Sequence, residues 1–205
     1  MSRTQASPHS PADFREPRWA RLLFHDSRAA WLWLVVRLYL GWQWLDAGLG
    51  KLGDPAWTGS SSGTALSGFV GNALTETGGA HPQVQGWYGS FIQQFVLPHA
   101  ALFSYLVVAG EIAVGIALIL GAFTGIAAFF GVFMNANYLL AGSISTNPLM
   151  ILLGALLMLA WRNAGWIGLD RWLLPAIGTP WEAGRVFHHP ATARSTTAVH
   201  VARDG

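Results

Sequence analysis

Residues Arg37 to Leu52 read RLYLGWQWLDAGLGKL. The stretch resembles part of a membrane helix, yet it contains an arginine, a glutamine, an aspartate and a lysine. A charged side chain in hydrocarbon costs several kcal/mol, so charges within a membrane usually pair with one another or face a cavity. The stretch therefore predicts a bundle of helices whose polar groups point to its interior.

The composition of the whole chain supports this interpretation. Of its 205 residues, 52% are hydrophobic and only 11% are charged, whereas charged residues make up about a quarter of an average soluble domain. The chain contains no cysteine, which excludes thiolate nucleophiles, iron–sulfur clusters and covalently attached haem. We expect an integral membrane protein that is embedded in a lipid bilayer. We expect no nucleic acid as a partner.

Four apolar runs follow one another along the chain, and they predict an all-α, polytopic membrane four-helix bundle. The runs are Ala29–Gly50, Leu97–Leu120, Ala122–Ala141 and Pro148–Trp161. The first three reach the roughly 20 residues that a spanning helix needs. The fourth is short and is followed by Ala164–Leu174, so it either spans a thinned bilayer or ends in an interfacial helix.

The outer connection, residues 51–96, separates the first two runs. Loops of this length without structure of their own are uncommon, so we expect short interfacial helices near Ala65–Thr75 and Gln83–Phe95. A serine-rich surface loop is the alternative. The resulting division is a flexible tail over 1–28, a membrane domain over 29–174 and a disordered tail over 175–205.

The basic residues predict the orientation of the bundle. Five arginines precede the first run and five follow the fourth, whereas the outer connection contains only Lys51. Because cytoplasmic loops carry an excess of Lys and Arg, both tails are predicted to be cytoplasmic. The even number of helices agrees with this orientation.

Two opposite charges lie at similar predicted depths. With a rise of 1.5 Å per residue, Arg37 is about 12 Å from the start of its run and Glu111 about 13 Å from the end of its run. We therefore predict an Arg37–Glu111 ion pair inside the bundle. Such a pair either fixes the register of two helices or belongs to a polar site for a quinone head group, an anion or a proton relay.

Further polar residues extend this site. The intramembrane polar site is predicted to contain Arg37, Glu111, Asn135, Asn137 and Tyr138. A second, outer substrate or anion site is predicted from Gln43, Asp46, Lys51 and His99. Hydrogen bonds that merely join helices are the alternative explanation. No metal site is expected, and no individual catalytic residue is assigned.

Several motifs resemble those of the DoxX family. They are RLYLGWQWLDAGLGKL, GEIAVGIALILGAFTGIAA, NANYLL and the closing GWIGLDRWL, and the resemblance covers roughly Trp31 to Leu174. The long outer connection and GLDRWL make the chain more similar to the DoxD branch, the membrane subunit of thiosulfate:quinone oxidoreductase. The positions that match the polar pattern of the family are Arg37, Lys51, Glu111 and Asn137.

The resemblance implies a quinone-linked oxidoreductase in the bacterial inner membrane, which oxidises two thiosulfates to tetrathionate. It implies a membrane quinone as substrate, no covalently bound cofactor, and a second, DoxA-like subunit or soluble redox protein. Whether the chain is catalytic stays open. The alternatives are a non-catalytic membrane anchor or assembly factor for redox or stress-response proteins, and a small-molecule or ion carrier that works as a homo-oligomer.

Overall fold

A computed structural model describes residues 16–178, and within that range all regular structure is helical. The α-helices are α1 Arg18–His25, α2 Ala30–Leu52, α3 Pro55–Thr58, α4 Thr64–Thr75, α5 Gly86–Phe91, α6 Ala100–Leu120, α7 Thr124–Leu140, α8 Asn147–Leu159 and α9 Asp170–Ile177. Over these residues the prediction of an all-α fold is confirmed. The four longest helices, α2, α6, α7 and α8, lie on the four apolar runs.

Helices α2 and α6 form the most extensive helix pair and run antiparallel. Gly41 of α2 lies against Ile119, near the end of α6, and Gly48 lies against Ile112, about two turns earlier. A Cβ atom added to Gly115 would lie 2.6 Å from the backbone nitrogen of Leu45. Glycines therefore let the two backbones approach closely, as small residues do between membrane helices.

A kinked but continuous helical segment runs from Gly86 to Leu120. After α5 it passes through a π-helical turn at Ile92–Val96 and a 3-10 turn at Leu97–His99 before α6 begins. Pro98 accounts for the irregularity, because proline has no N–H to donate within a helix. In the described part of the chain, this segment alone is long and apolar enough to cross a membrane by itself.

The other three long helices give weaker signals for spanning. Helices α7 and α8 are apolar but have only 17 and 13 residues. Helix α2 has 23 residues, but its charged residues and tryptophans lower its mean hydropathy. The all-helical fold is thus established, whereas the crossing of a bilayer by all four helices belongs to the proposals below.

The outer connection folds into helices α3, α4 and α5. The predicted helices near Ala65–Thr75 and Gln83–Phe95 are confirmed as helical segments, α4 and α5 with its π-helical turn. They enclose a second apolar core that includes Val70, Val84 and Ile92. Their location at a bilayer surface remains a prediction.

Helix α1 docks against the opposite end of the bundle. The amide nitrogen of Asn163 donates hydrogen bonds of 3.0 and 2.8 Å to the carbonyl oxygens of Leu23 and Asp26. The indole of Trp33 donates to the same Leu23 oxygen at 2.8 Å. Residues 18–25, which the sequence analysis assigned to a flexible tail, are therefore an ordered helix. The remainder of the two predicted tails lies largely outside the described residues.

Candidate functional site

The carboxylate of Glu111 is the centre of a buried polar cluster. Glu111 is only 1% exposed, and both of its carboxylate oxygens accept hydrogen bonds of 2.8 Å from Nζ of Lys51. The hydroxyl of Tyr138 donates a further bond of 2.8 Å to Oε1. Three helices, α2, α6 and α7, thus each contribute one side chain, and the buried carboxylate is neutralised by the lysine.

The packing of α2 explains why Lys51 reaches Glu111. Gly48 lies directly against Glu111, and a Cβ atom added to it would be 3.1 Å from the Cβ of Glu111. A side chain at position 48 would therefore not fit. Lys51 follows three positions later, on the same face of the helix. Its ammonium also lies 5.3 Å from the ring centroid of Trp57 in α3. The lysine is therefore held between a carboxylate and the face of an indole.

A polar cavity of about 400 Å³ adjoins the cluster. Its polar walls include Gln43, Asp46, Lys51, Glu111, Asn135 and Tyr138. Residues from both predicted sites therefore line one cavity. Oδ1 of Asn135, a residue that is 1% exposed, has no hydrogen-bond partner in the protein, and this leaves a polar atom available to a bound water or ligand.

The charges around the polar cavity do not favour an anion. The two carboxylates that line it, Asp46 and Glu111, face one ammonium, that of Lys51. The lysine charge is already compensated by Glu111 at hydrogen-bond distance. The cavity is therefore better suited to water and protons than to a dianion.

An apolar cavity of about 300 Å³ lies beside the polar one. Its walls are mostly aliphatic and aromatic, with Phe69, Val70 and Phe133 among them. Asn137 lines this cavity. The hydroxyl of Tyr88 lies 3.0 Å from the backbone carbonyl oxygen of Asn137 and 3.2 Å from its Oδ1, and donates to these two oxygens. Asn137 thus lies apart from the cluster around Glu111, into which the sequence analysis had placed it.

Tyr138 lines both cavities. Its ring makes an edge-on contact with Phe69, with centroids 6.4 Å apart, and a tilted contact with Trp44 at 6.4 Å. Phe69 also lines both cavities. The polar and the apolar cavity are therefore separated by a wall that contains the rings of Phe69 and Tyr138, and Tyr138 has a titratable hydroxyl.

The predicted Arg37–Glu111 ion pair is wrong. Arg37 is 1% exposed, and its Nη2 donates a 2.6 Å hydrogen bond to the carbonyl oxygen of Ile167. Gly48 is the residue of α2 that faces Glu111, and Arg37 lies eleven positions earlier, which is about 16 Å along the helix. The first turns of α2 extend beyond the end of α6, so the two charges lie at different heights.

Arg37 instead belongs to a junction at the end of α6. Its guanidinium packs against Gly121 and Gly168, while its Nε and Nη1 have no partner in the protein. Nearby, Asp170 accepts hydrogen bonds from the backbone N–H groups of Phe123 and Thr124 and so caps the start of α7. Sequence reasoning missed this role of Asp170, although its place in GLDRWL was a signal.

His99 lies away from the polar cavity. The residue is exposed, and its Nδ1 is 2.9 Å from the carbonyl oxygen of Phe95, one turn earlier. Of the four residues predicted to form the outer site, Gln43, Asp46 and Lys51 lie together and His99 does not join them. His99 immediately precedes α6, twelve positions and about 18 Å along the helix before Glu111.

The described residues thus combine one helix that is long and apolar enough to cross a membrane with a charged cluster buried between helices. Residues 32–184 match the DoxD family, described as the small subunit of TQO, and the chain belongs to this family. The predicted resemblance to the DoxD branch is thereby confirmed. No curated protein and no solved structure shows significant similarity to the chain.

Proposed function

We propose that the chain is the membrane subunit of a thiosulfate:quinone oxidoreductase. The enzyme would join two thiosulfates through a new S–S bond to give tetrathionate, and the two electrons released would reduce a lipid quinone. The quinone takes up two protons as it becomes a quinol, so the reaction balances. Membership of the DoxD family, a small subunit of such a complex, supports this assignment.

The observation that carries the proposal is the Lys51–Glu111–Tyr138 cluster between a polar and an apolar cavity. Quinone reduction consumes protons, and a carboxylate beside a water-accessible cavity can relay protons from that water. A buried charge pair costs desolvation energy and is often no more stable than an apolar replacement. Charged groups within a membrane protein accordingly mark proton or substrate pathways.

The proposed arrangement places α2, α6, α7 and α8 across the bacterial inner membrane, with both termini in the cytoplasm. The described arginines outside the long helices gather at one end of the bundle: Arg18, Arg21, Arg28, Arg162 and Arg171. The opposite end holds the outer connection, whose basic residue is Lys51. This asymmetry favours a cytoplasmic arginine end.

A DoxA-like second subunit completes the proposed enzyme. The description of the family as a small subunit supports a partner chain. Because the lysine in the polar cavity is already paired with Glu111, we assign the binding of thiosulfate to the partner or to its interface with this chain. The present chain would then supply the quinone side of the reaction.

The test is thiosulfate-dependent quinone reduction by the purified complex in nanodiscs that contain a lipid quinone. Wild-type complex should reduce the quinone, and Glu111→Gln should abolish most of this activity while the complex stays assembled. Glu76→Gln is the matched control, because Glu76 is an exposed carboxylate near the end of α4. A wild-type complex with its partner that reduces no quinone would overturn the proposal and favour the non-catalytic anchor.

A further inference from the structure

The apolar cavity has dimensions and an opening that suit a lipid-soluble ring. Its volume of about 300 Å³ is at the lower end of the range of small-molecule sites. Phe91 and Phe133 line the cavity and are 41% and 57% exposed. The cavity therefore reaches the outer surface of the protein between α5 and α7, where a lipid molecule could enter sideways.

Three polar side chains line this otherwise apolar chamber: Tyr88, Asn137 and Tyr138. The first two bond to each other, since Tyr88 donates to Asn137. A few polar groups in an apolar cavity are what fixes the orientation of a bound ring. Of the three, only Tyr138 is also bonded to the charged cluster on the other side of the wall.

We propose that the apolar cavity receives the ring of a lipid quinone and that Tyr138 passes protons to it from the Lys51–Glu111 pair. This inference rests on the proposed function and deepens it, because it names the site and the proton donor. Tyr138 is suited to the role because a hydroxyl both donates and accepts, and its hydrogen can rotate from one acceptor to another.

The proton path follows the hydrogen bonds of the cluster. As the ring receives two electrons from thiosulfate, the hydroxyl of Tyr138 gives its proton to a quinone oxygen. The ammonium of Lys51 then gives a proton to the carboxylate of Glu111, and the carboxylic acid so formed gives it to the phenolate, while water in the polar cavity reprotonates the lysine. Two passages deliver both protons, so the tyrosine, the carboxylate and the lysine end unchanged.

The charged and titratable groups that face Glu111 come from two helices. They are Lys51 from α2 and Tyr138 from α7, at hydrogen-bond distance, and Asp46 from α2 on the wall of the polar cavity. Helix α8 contributes Asn147 and Met150 to that wall, and α4 contributes Leu66 and Phe69, none of which titrates. A positive neighbour and a negative one therefore act on the same carboxylate.

The first experiment maps the quinone with a photoreactive azidoquinone in nanodiscs that contain the wild-type complex. After illumination, mass spectrometry should find the label on residues of the apolar cavity, such as Tyr88 and Phe133. An excess of natural quinone should remove the label. A label confined to other surfaces would overturn the assignment of the cavity, whether or not thiosulfate is the electron donor.

The second experiment compares Tyr138→Phe with the wild-type complex. Loss of a general acid typically lowers the rate by about 100-fold or more, so turnover should fall by that factor while the KM for quinone changes by less than about threefold. The solvent isotope effect on the remaining turnover should change as well. Turnover within about threefold of wild type, with the same isotope effect, would overturn the role of Tyr138.

Tyr105→Phe is the matched control for this variant. The hydroxyl of Tyr105 donates a 2.7 Å hydrogen bond to the carbonyl oxygen of Thr58, and the residue lines neither cavity. It should keep wild-type turnover. If Tyr138→Phe fails to assemble, 3-fluorotyrosine is placed at position 138 instead, because it keeps the hydroxyl but is more acidic. The pH profile of turnover should then move to lower pH. An unmoved profile would contradict the relay.

The two proposals can fail separately. Label in the apolar cavity without thiosulfate-dependent turnover would refute thiosulfate as the donor and retain the quinone site. Thiosulfate-dependent turnover that survives in Tyr138→Phe would retain the function and refute the proton path.

Discussion

Nζ of Lys51 lies 2.8 Å from each carboxylate oxygen of Glu111, although 60 residues separate the two in the chain. The pair joins the end of α2 to the middle of α6 and brings a charged group to the wall of a cavity. Arg37, on the same face of α2, takes no part in it and instead binds a carbonyl oxygen near the far end of α6.

The first prediction concerns the Lys51–Glu111 pair. Lys51→Met should lower the free energy of unfolding by about 2–4 kcal/mol, because it leaves a buried carboxylate unpaired. We set this below the range for fully buried pairs since the lysine side chain is 24% exposed. The double variant Lys51→Met/Glu111→Gln should regain most of the loss, as the glutamine still accepts from Tyr138. Denaturant unfolding in detergent measures both.

Asp46→Asn provides the control for that cycle. Asp46 lines the same cavity but is exposed, so its replacement should change stability by no more than about 0.5 kcal/mol. A single Lys51→Met variant as stable as the wild type would contradict the pairing.

The second prediction is that Arg37 and Glu111 are energetically independent. A double-mutant cycle with Arg37→Met and Glu111→Gln should give a coupling energy within about 0.5 kcal/mol of zero, as expected for residues that are far apart and share no partner. The measurement is the same unfolding assay. A coupling above 1 kcal/mol would restore the ion pair that the sequence analysis predicted.

The third prediction concerns the glycine contact between α2 and α6. Gly115→Ala should destabilise the fold by about 1–3 kcal/mol, because overpacking forces backbones apart. The added methyl group would lie 2.6 Å from the nitrogen of Leu45. Thermal unfolding in detergent is the measurement.

Gly50→Ala is the control for helix propensity. No atom lies within 4 Å of the position that its Cβ would take, and alanine stabilises a helix by up to about 1 kcal/mol relative to glycine. This variant should be neutral or slightly more stable. Equal losses in both variants would show that the close approach of α2 and α6 is not what Gly115 serves.

The fourth prediction concerns orientation and uses the absence of cysteine from the chain. A membrane-impermeant maleimide applied to intact spheroplasts should label Ser60→Cys, in the outer connection. It should label Ser27→Cys, at the arginine end, only after the membrane is permeabilised. Both serines are exposed. The reverse pattern would place the termini outside, and labelling of both in intact spheroplasts would refute the four-helix crossing.

The helices themselves could be predicted from local patterns. The apolar run Ala122–Ala141 became α7 at Thr124–Leu140, and the stretch Ala65–Thr75 became α4 at Thr64–Thr75. Composition and periodicity depend on the residues within one segment, and they were sufficient to predict where these helices lie. The spacing of Arg37, Gly41, Trp44 and Gly48 puts them on one face of a helix, and all four are buried in α2.

The partner of Glu111 could not be predicted in that way, because it depends on the offset between two helices. The prediction assumed that α2 begins level with the end of α6. Close contacts at Gly41, Gly48 and Gly115 set a different offset, and it brings Lys51 rather than Arg37 to the carboxylate. The neutralising residue was identified as polar but assigned to a separate outer site.

The order of Lys51, Glu111 and Tyr138 along the chain also bears on biosynthesis. In the proposed four-helix crossing, Lys51 enters the membrane before Glu111, and pairing with its ammonium would lower the cost of placing the carboxylate in lipid. Tyr138 arrives last, and its hydroxyl completes a pair that already exists. A nascent chain released before α7 would thus carry the Lys51–Glu111 pair but only Phe69 of the two aromatic side chains that separate the cavities.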